Sequence, residues 1–149
     1  MNLKYNKTSN SKKDGSYVEY EITDNNTKIG EIEGAGNNKG EFFSIININS
    51  NYQKKGIGFK AYIKVYDEIN LKFPIKTIVC SWDISPIFQN SPNGMSSNLL
   101  MFLNNEKNGI AEKDNIYSTP TGKWMTKLGF KLHQIVNRNN TQVKIHFKK

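Results

Sequence analysis

At 149 residues with a formal net charge of +8 and one cysteine, the chain is long enough for a single core and carries no disulfide framework. A domain of this size buries roughly 70% of its unfolded surface, so neither a disulfide nor a metal staple is required. Cys80 cannot pair within the chain, and His133 and His146 are too far apart in sequence to form a zinc cluster, so no metal site is expected.

The first thirty residues are polar and rich in Lys and Asn, and no apolar run approaches the ~18 residues of a spanning helix. Neither a signal peptide nor a membrane anchor is therefore expected, and a cytoplasmic location is. The positive charge favours anionic partners. Of the 21 basic residues, however, only Arg138 is an arginine, and base-edge readout relies on arginine's planar fork. A nucleic-acid partner is possible on charge alone but not favoured.

In chain order, residues 1–15 have only Leu3 and Tyr5 to bury and read as a loose arm or a short first strand. Alternation from Tyr17 to Thr23, turn residues at Asp24-Asn25-Asn26 and an extended pattern from Lys28 to Glu33 predict a β-hairpin, with Gly30 marking a bulge. Gly34 to Gly40 reads as a second turn. Phe42 to Ile48 then reads as a central strand buried on most of its surface. Phe59, Tyr62, Ile63, Tyr66, Ile69 and Phe73 recur at helical spacing until Pro74, and Ile75 to Trp82 reads as a strand. The resulting strand, helix, strand unit over 42–82 predicts a parallel pair.

Residues 83–117 are broken by Pro86, Pro92, Asn93 and Gly94, and only Ser97 to Asn105 predicts a short helix. Thr119 as N-cap, Pro120 at the first position and Gly129 as terminator predict another. Phe130–Val136 and Thr141–Phe147 predict a closing hairpin around 137–140. No repeat is seen, and the expected organisation is one domain over 1–149. Trp82 and Trp124 read as core aromatics, and the two histidines as surface or sheet residues.

The stretch from Ile46 to Phe59 takes a buried strand through a short polar turn directly into a helix. The first amides of a helix lack intrahelical acceptors, and the helix dipole attracts anions there. Gly56 and Gly58 remove the Cβ atoms that would hold a diphosphate away, and Lys54 and Lys55 add charge. The spacing fits neither the GxGxxG dinucleotide fingerprint nor a P-loop.

Gln53-Lys54-Lys55-Gly56-Ile57-Gly58 resembles the Gln/Arg-x-x-Gly-x-Gly/Ala signature of the GNAT N-acetyltransferases, and Lys127-Leu128-Gly129-Phe130 resembles the segment that ends that family's last helix. The resemblance implies a mixed, mainly antiparallel α/β sheet with flanking helices and a parallel strand pair splayed at the cofactor site. It implies acetyl-CoA as co-substrate, with Ile46, Asn47 and Ile48 meeting the pantetheine arm and Gln53, Lys54, Lys55, Gly56, Ile57 and Gly58 the phosphates. It further implies a small-molecule or protein amine as acceptor, and a monomer or homodimer.

Two positions depart from the family pattern. Where a tyrosine often protonates the departing thiolate, this chain has Met125; Tyr117 is the candidate substitute. An asparagine near the start of that helix is replaced by Ser118, whose hydroxyl suits the pantetheine arm. For the base, Asp83 is the first choice, with Ser81 relaying through water and Glu19, Glu21, Glu31 and Glu33 as other carboxylates. The leading expectation is an amine N-acetyltransferase. The alternatives are a nucleic-acid-directed enzyme of the same kind and a CoA-binding module without catalysis.

Overall fold

Asn25 and Asn26 both take positive φ, 48° and 68°, the conformation of a two-residue type I′ turn whose twist matches that of the strands it joins. The turn links β2 (Tyr17–Asp24) to β3 (Thr27–Gly36), preceded by β1 (Leu3–Lys7) and followed by β4 (Glu41–Ile48) and helix α1 (Ile57–Lys72). The computed structural model describes residues 1–88 and 91–149, and the chain divides into two compact units, Met1–Ile78 and Val79–Lys149. Strand β5 (Thr77–Asp83) begins in the first unit and ends in the second, which continues with α2 (Ser97–Lys107), α3 (Glu112–Ser118), α4 (Pro120–Leu128), β6 (Leu132–Arg138) and β7 (Gln142–Lys148). The sheet order is β1-β2-β3-β4-β5-β7-β6, mainly antiparallel with β4 and β5 as the parallel pair.

In the first unit, β1 to β4 form an antiparallel meander. Val18, Tyr20, Ile22, Ile32 and Phe42 are buried, as are Ala61, Tyr62, Val65, Tyr66 and Ile69 of α1. Phe42 sets its ring edge-on to Tyr62 and Tyr66, each with centroids 5.7 Å away. Glu68 of α1 accepts from the Tyr20 hydroxyl at 2.6 Å and from the Lys7 ammonium, which ties β1 and β2 to the helix. The irregularity expected at Gly30 is a bulge that leaves Ile29 unpaired beside it.

Two expectations need correction. Gly34 and Gly36 do not turn the chain: β3 runs through them, and they are small because α1 lies close. A Cβ at Gly34 would sit 2.2 Å from Val65 Cγ1, and one at Gly36 2.4 Å from Ile69 Cγ2. Strand β4 is not buried on most of its surface. Phe42 is fully buried, but Phe43 and Ile45 on the other face are 39% and 55% exposed, because α1 is the only α-helix of this unit and covers one face of the meander.

In the second unit, β6 and β7 form the expected hairpin, with a register shift between Ile135 and Asn137. Thr119 caps α4 by accepting from the Gly122 amide at 3.1 Å, Pro120 stands at the start, and Gly129 ends the helix at φ 83°. Helix α3 was not anticipated. It is held by Asn115, whose side-chain amide donates to the Phe102 carbonyl of α2 at 2.9 Å. Of the irregular 83–117 segment, residues 89 and 90 lie outside those described.

Helices α3 and α4 meet at Gly122, where a Cβ would lie 1.9 Å from the Ile116 carbonyl oxygen. The obstacle is backbone and cannot swing aside. Gly122→Ala is expected to destabilise the chain by about 1–3 kcal/mol or more, read as a lower urea midpoint at unchanged slope.

Candidate functional site

The turn between β4 and α1 is built from main chain. Asn49 donates its amide to the Ile29 carbonyl at 2.8 Å, which fixes the end of β4 on β3. Residues 50–52 then form one 3-10 turn, with the Tyr52 amide on the Asn49 carbonyl at 2.8 Å. The Gln53 side chain returns to donate to the Ile48 carbonyl at 2.8 Å. Gln53 therefore braces the bend through its side-chain amide, a role that the sequence pattern alone did not reveal.

Beyond Gln53, the backbone takes a left-handed residue at Lys54 (φ 60°) and another at Gly56 (φ 77°, ψ 0°) before entering α1. A left-handed residue followed by a helical one points successive N–H groups into a shared concavity, the arrangement of an anion nest. At the start of the helix the Lys60 amide donates to the Gly56 carbonyl at 3.2 Å. Among the described residues, the amides of Lys54, Lys55, Gly56, Ile57 and Gly58 meet no protein acceptor. Gln53 to Gly56 are exposed, and nothing lies within 4 Å of where a Gly56 Cβ would stand. The Lys55 ammonium lies 5.5 Å from the Tyr52 ring centroid. Open amides, two lysines and an unobstructed approach form a donor set that fits a diphosphate.

Along β4, the Asn49–Ile29 bond sets the alternation of the antiparallel ladder. It directs the Asn47 main-chain groups toward β3 and those of Ile46 and Ile48 to the opposite edge. Of the three residues expected at the pantetheine arm, Ile46 and Ile48 thus turn peptide groups away from the meander. Asn47 engages β3 and shares a face with Ile45.

The second unit carries the remaining candidates. Ser81 and Asp83 are two residues apart on β5 and share a face, opposite the buried Trp82. The Ser81 hydroxyl accepts from the Gln142 side chain at 3.0 Å. Partial burial raises the Asp83 carboxyl above the ordinary aspartate range, while its carbonyl accepts from the Ser96 amide at 2.9 Å.

Tyr117 and Ser118 are neighbours at the end of α3. The Tyr117 phenol oxygen is buried without a hydrogen-bond partner among the described residues, and desolvation raises its pKa. Its ring meets His133 edge-on at 5.5 Å and lines an open cavity of about 500 Å³ with Lys123 and Trp124. Trp82 is a core residue as expected, whereas Trp124 is only half-buried at that cavity. The Ser118 hydroxyl donates to the Asn115 carbonyl at 2.7 Å and accepts from the Asn105 side chain at 3.0 Å. Met125 is fully buried and has no proton to give. The candidates thus fall into three groups: the Gln53–Gly58 turn with β4, the Ser81–Asp83 pair, and the Tyr117–Ser118 pair. No cluster of metal-ligating side chains occurs among the described residues.

Compared as a sequence, the chain matches no protein-family model and no curated protein. Compared as a structure, it is similar to the GNAT domain of S. lividans PAT, with 10% identity and a TM-score of 0.51, over 93% of this chain and 64% of that one. It is also similar to PaiA N-acetyltransferase from Thermoplasma acidophilum in complex with coenzyme A (10% identity, TM-score 0.51, 90% of this chain and 62% of that one). A GNAT-family acetyltransferase from Streptococcus pneumoniae matches at 9% identity and a TM-score of 0.50, over 90% and 66% of the two chains. The chain spans less than two thirds of the length of each of these three. Strand order, the parallel β4–β5 pair and these likenesses agree: the chain has the fold of the GNAT N-acetyltransferases.

Proposed function

We propose that residues 1–149 work as one domain that transfers an acetyl group from acetyl-CoA to a primary amine. The observation that carries this reading is the exposed turn with five amides lacking a protein acceptor at the start of α1. The coenzyme A held by the Thermoplasma protein of the same fold supports it. A cytoplasmic location belongs to the same reading. It is supported by the single cysteine and by the absence, among the described residues, of any helix long and apolar enough to cross a membrane.

In this reading the turn amides, Lys54 and Lys55 hold the diphosphate, and the outward peptide groups of Ile46 and Ile48 align the pantetheine arm. The thioester supplies an activated acyl carbon: a carbon–nitrogen bond forms to the amine as the carbon–sulfur bond breaks. The nitrogen sheds a first proton from the ammonium before attack; the departing thiolate takes up a second from an acid, and the surplus proton on the nitrogen of the adduct replaces it there. Asp83, whose raised pKa keeps it a stronger base than an ordinary aspartate, takes the first, directly or through water held by Ser81. Tyr117, with an unpartnered phenol, supplies the second, and Ser118 offers a remaining lone pair to the pantetheine arm.

Asp83→Asn tests the base. Activity of the wild type is expected to rise with pH through the elevated carboxyl pKa, because only the ionised form accepts a proton. The variant is expected to lose roughly 10²–10⁴-fold in kcat while keeping its affinity for acetyl-CoA. The fold itself favours the protonated form of Asp83, so this residue's contribution to stability is present below the unfolded aspartate pKa and is lost as pH rises through the folded one.

A second reading, a CoA-binding module without catalysis, is favoured by the buried Met125. Thiol release from acetyl-CoA across a broad amine panel separates the two, since a non-catalytic module releases none. The nucleic-acid alternative loses support because Arg138, the sole arginine, is bonded through both nitrogens to Glu106 at 2.5 and 2.7 Å.

A further inference from the structure

Strand β6 reverses the pattern that burial alone would set. Leu132 and Val136 are exposed, while the imidazole of His133 turns toward α3 with its side chain only 15% exposed. The register seats His133 directly opposite Phe147 of β7, which is fully buried. Both rings of this cross-strand pair meet the Tyr117 ring edge-on, at centroid distances of 5.5 and 5.9 Å and interplanar angles of 74° and 68°. A hydrocarbon side chain would serve apolar packing at position 133 at least as well, so burial does not account for the imidazole.

The imidazole makes a second contact that a hydrocarbon could not. Its Nε2 lies 3.3 Å from Oε2 of Glu112; a carboxylate only accepts, so Nε2 carries the proton of this bond. Glu112 opens α3 and Tyr117 stands one residue before its end, so a single side chain touches both ends of the helix. Seven residues are too few for a helix to persist alone, and α3 buries only Asn115 and Ile116. Asn115 is tied to the Phe102 carbonyl and Ser118 to the Asn105 side chain, but neither bond fixes the Tyr117 ring. The phenol oxygen has no hydrogen-bond partner among the described residues. With no bond to aim it, the hydroxyl is placed by the ring contacts with His133 and Phe147.

We propose that His133 is a positioning residue for proton donation: its imidazole, aimed by Glu112 and paired with Phe147, holds the Tyr117 ring at the wall of the cavity shared with α4. The inference rests on the reading of Tyr117 as the proton donor, and His133 acts through that ring, not on the substrate. A donor that lacks a hydrogen bond is free to swing, and a displacement of about 1 Å costs a reaction up to roughly 10²-fold. Glu112 is exposed, so its bond to the imidazole supplies orientation more than energy. The charged and titratable groups around the phenol are His133 from β6, Lys123 and Lys127 from α4, and Glu112 on its own helix beyond the imidazole; Phe147 of β7 brings none. Burial is what lifts the phenol above the ordinary tyrosine range, and a ring released from the clamp regains water and titrates lower.

The test uses the full chain, with kcat and KM for acetyl-CoA measured on a panel of primary amines and tyrosinate followed by ultraviolet titration. His133→Ala is expected to lower kcat roughly 10–100-fold at unchanged KM for acetyl-CoA, and His133→Phe, which restores a ring, to recover most of the loss. Should His133→Ala fail to fold, His133→Gln, which keeps a donor for Glu112 but no ring, takes its place with the same expectation. In a Tyr117→Phe background His133→Ala is expected to cost nothing further, because its effect passes through the phenol. The difference in titration between each chain and its Tyr117→Phe counterpart is expected to show Tyr117 ionising at lower pH without the imidazole, with the alkaline limb of kcat moving down alongside it. A His133→Ala loss undiminished in Tyr117→Phe, or a Tyr117 titration that His133→Ala leaves in place, overturns the proposal. Full turnover by Tyr117→Phe removes the donor and the proposal with it, while the transferase reading stands. A wild type that turns over no amine sinks the transferase reading, and the titration then decides the clamp by itself.

Discussion

At acetyl-CoA concentrations one hundred times its dissociation constant, the folded chain is expected to gain about 2.7 kcal/mol, an upward Tm shift of roughly 5–10 °C for a chain of this size. The gain comes from amides that lack protein acceptors and so need no internal bond broken before they meet a phosphate. Gly56 is the position to vary. Its φ of 77° disfavours most side chains, but asparagine tolerates the left-handed region. Gly56→Asn is therefore expected to fold and yet fill the open space above the turn, and the ligand-induced shift should vanish. A wild-type Tm that does not move at saturating coenzyme removes the main support for the acyl-transfer reading.

The second large effect concerns the first unit's core. Phe42 is fully buried and joins β4 to α1 through two edge-on ring contacts. Phe42→Ala is expected to cost about 3–5 kcal/mol, combining lost transfer energy with a cavity that neighbouring rings fill poorly. Chemical denaturation measures it directly. Because β4 leads straight into the Gln53–Gly58 turn, the same variant should weaken acetyl-CoA binding although Phe42 is not placed at the ligand; unchanged affinity would show that the turn keeps its shape without the strand.

What the sequence revealed followed from periodicity and punctuation. Helix α1 announced itself through a long apolar stripe and Pro74, and α4 through Thr119, Pro120 and Gly129, each of which does in the fold what its chemistry suggests. Helix α3 gave no such signal, since only Asn115 and Ile116 of its seven residues are buried and two positions make no stripe. Gly34 and Gly36 misled because a glycine that admits a neighbouring helix looks, in sequence, like one that bends the chain. The turn proposed to hold the diphosphate was legible as a motif. The left-handed Lys54 and the Gln53 brace were not, because neither residue type prescribes such a role. His133 read only as a surface or sheet residue until strand register set it opposite Phe147, with both rings against Tyr117.

Strand β1 ends the sheet on one side, pairing along β2 from Leu3 with Asp24 to Lys7 with Tyr20. Lys4 and Lys7 make this rim a poor template for another strand, as lysines at exposed edges do. A chain trimmed of its first eight residues would present the bare amides and carbonyls of β2 instead, a sticky border inviting end-on stacking of copies. Removal of residues 1–8 is therefore expected to increase self-association, read as a larger sedimentation coefficient than that of the full chain.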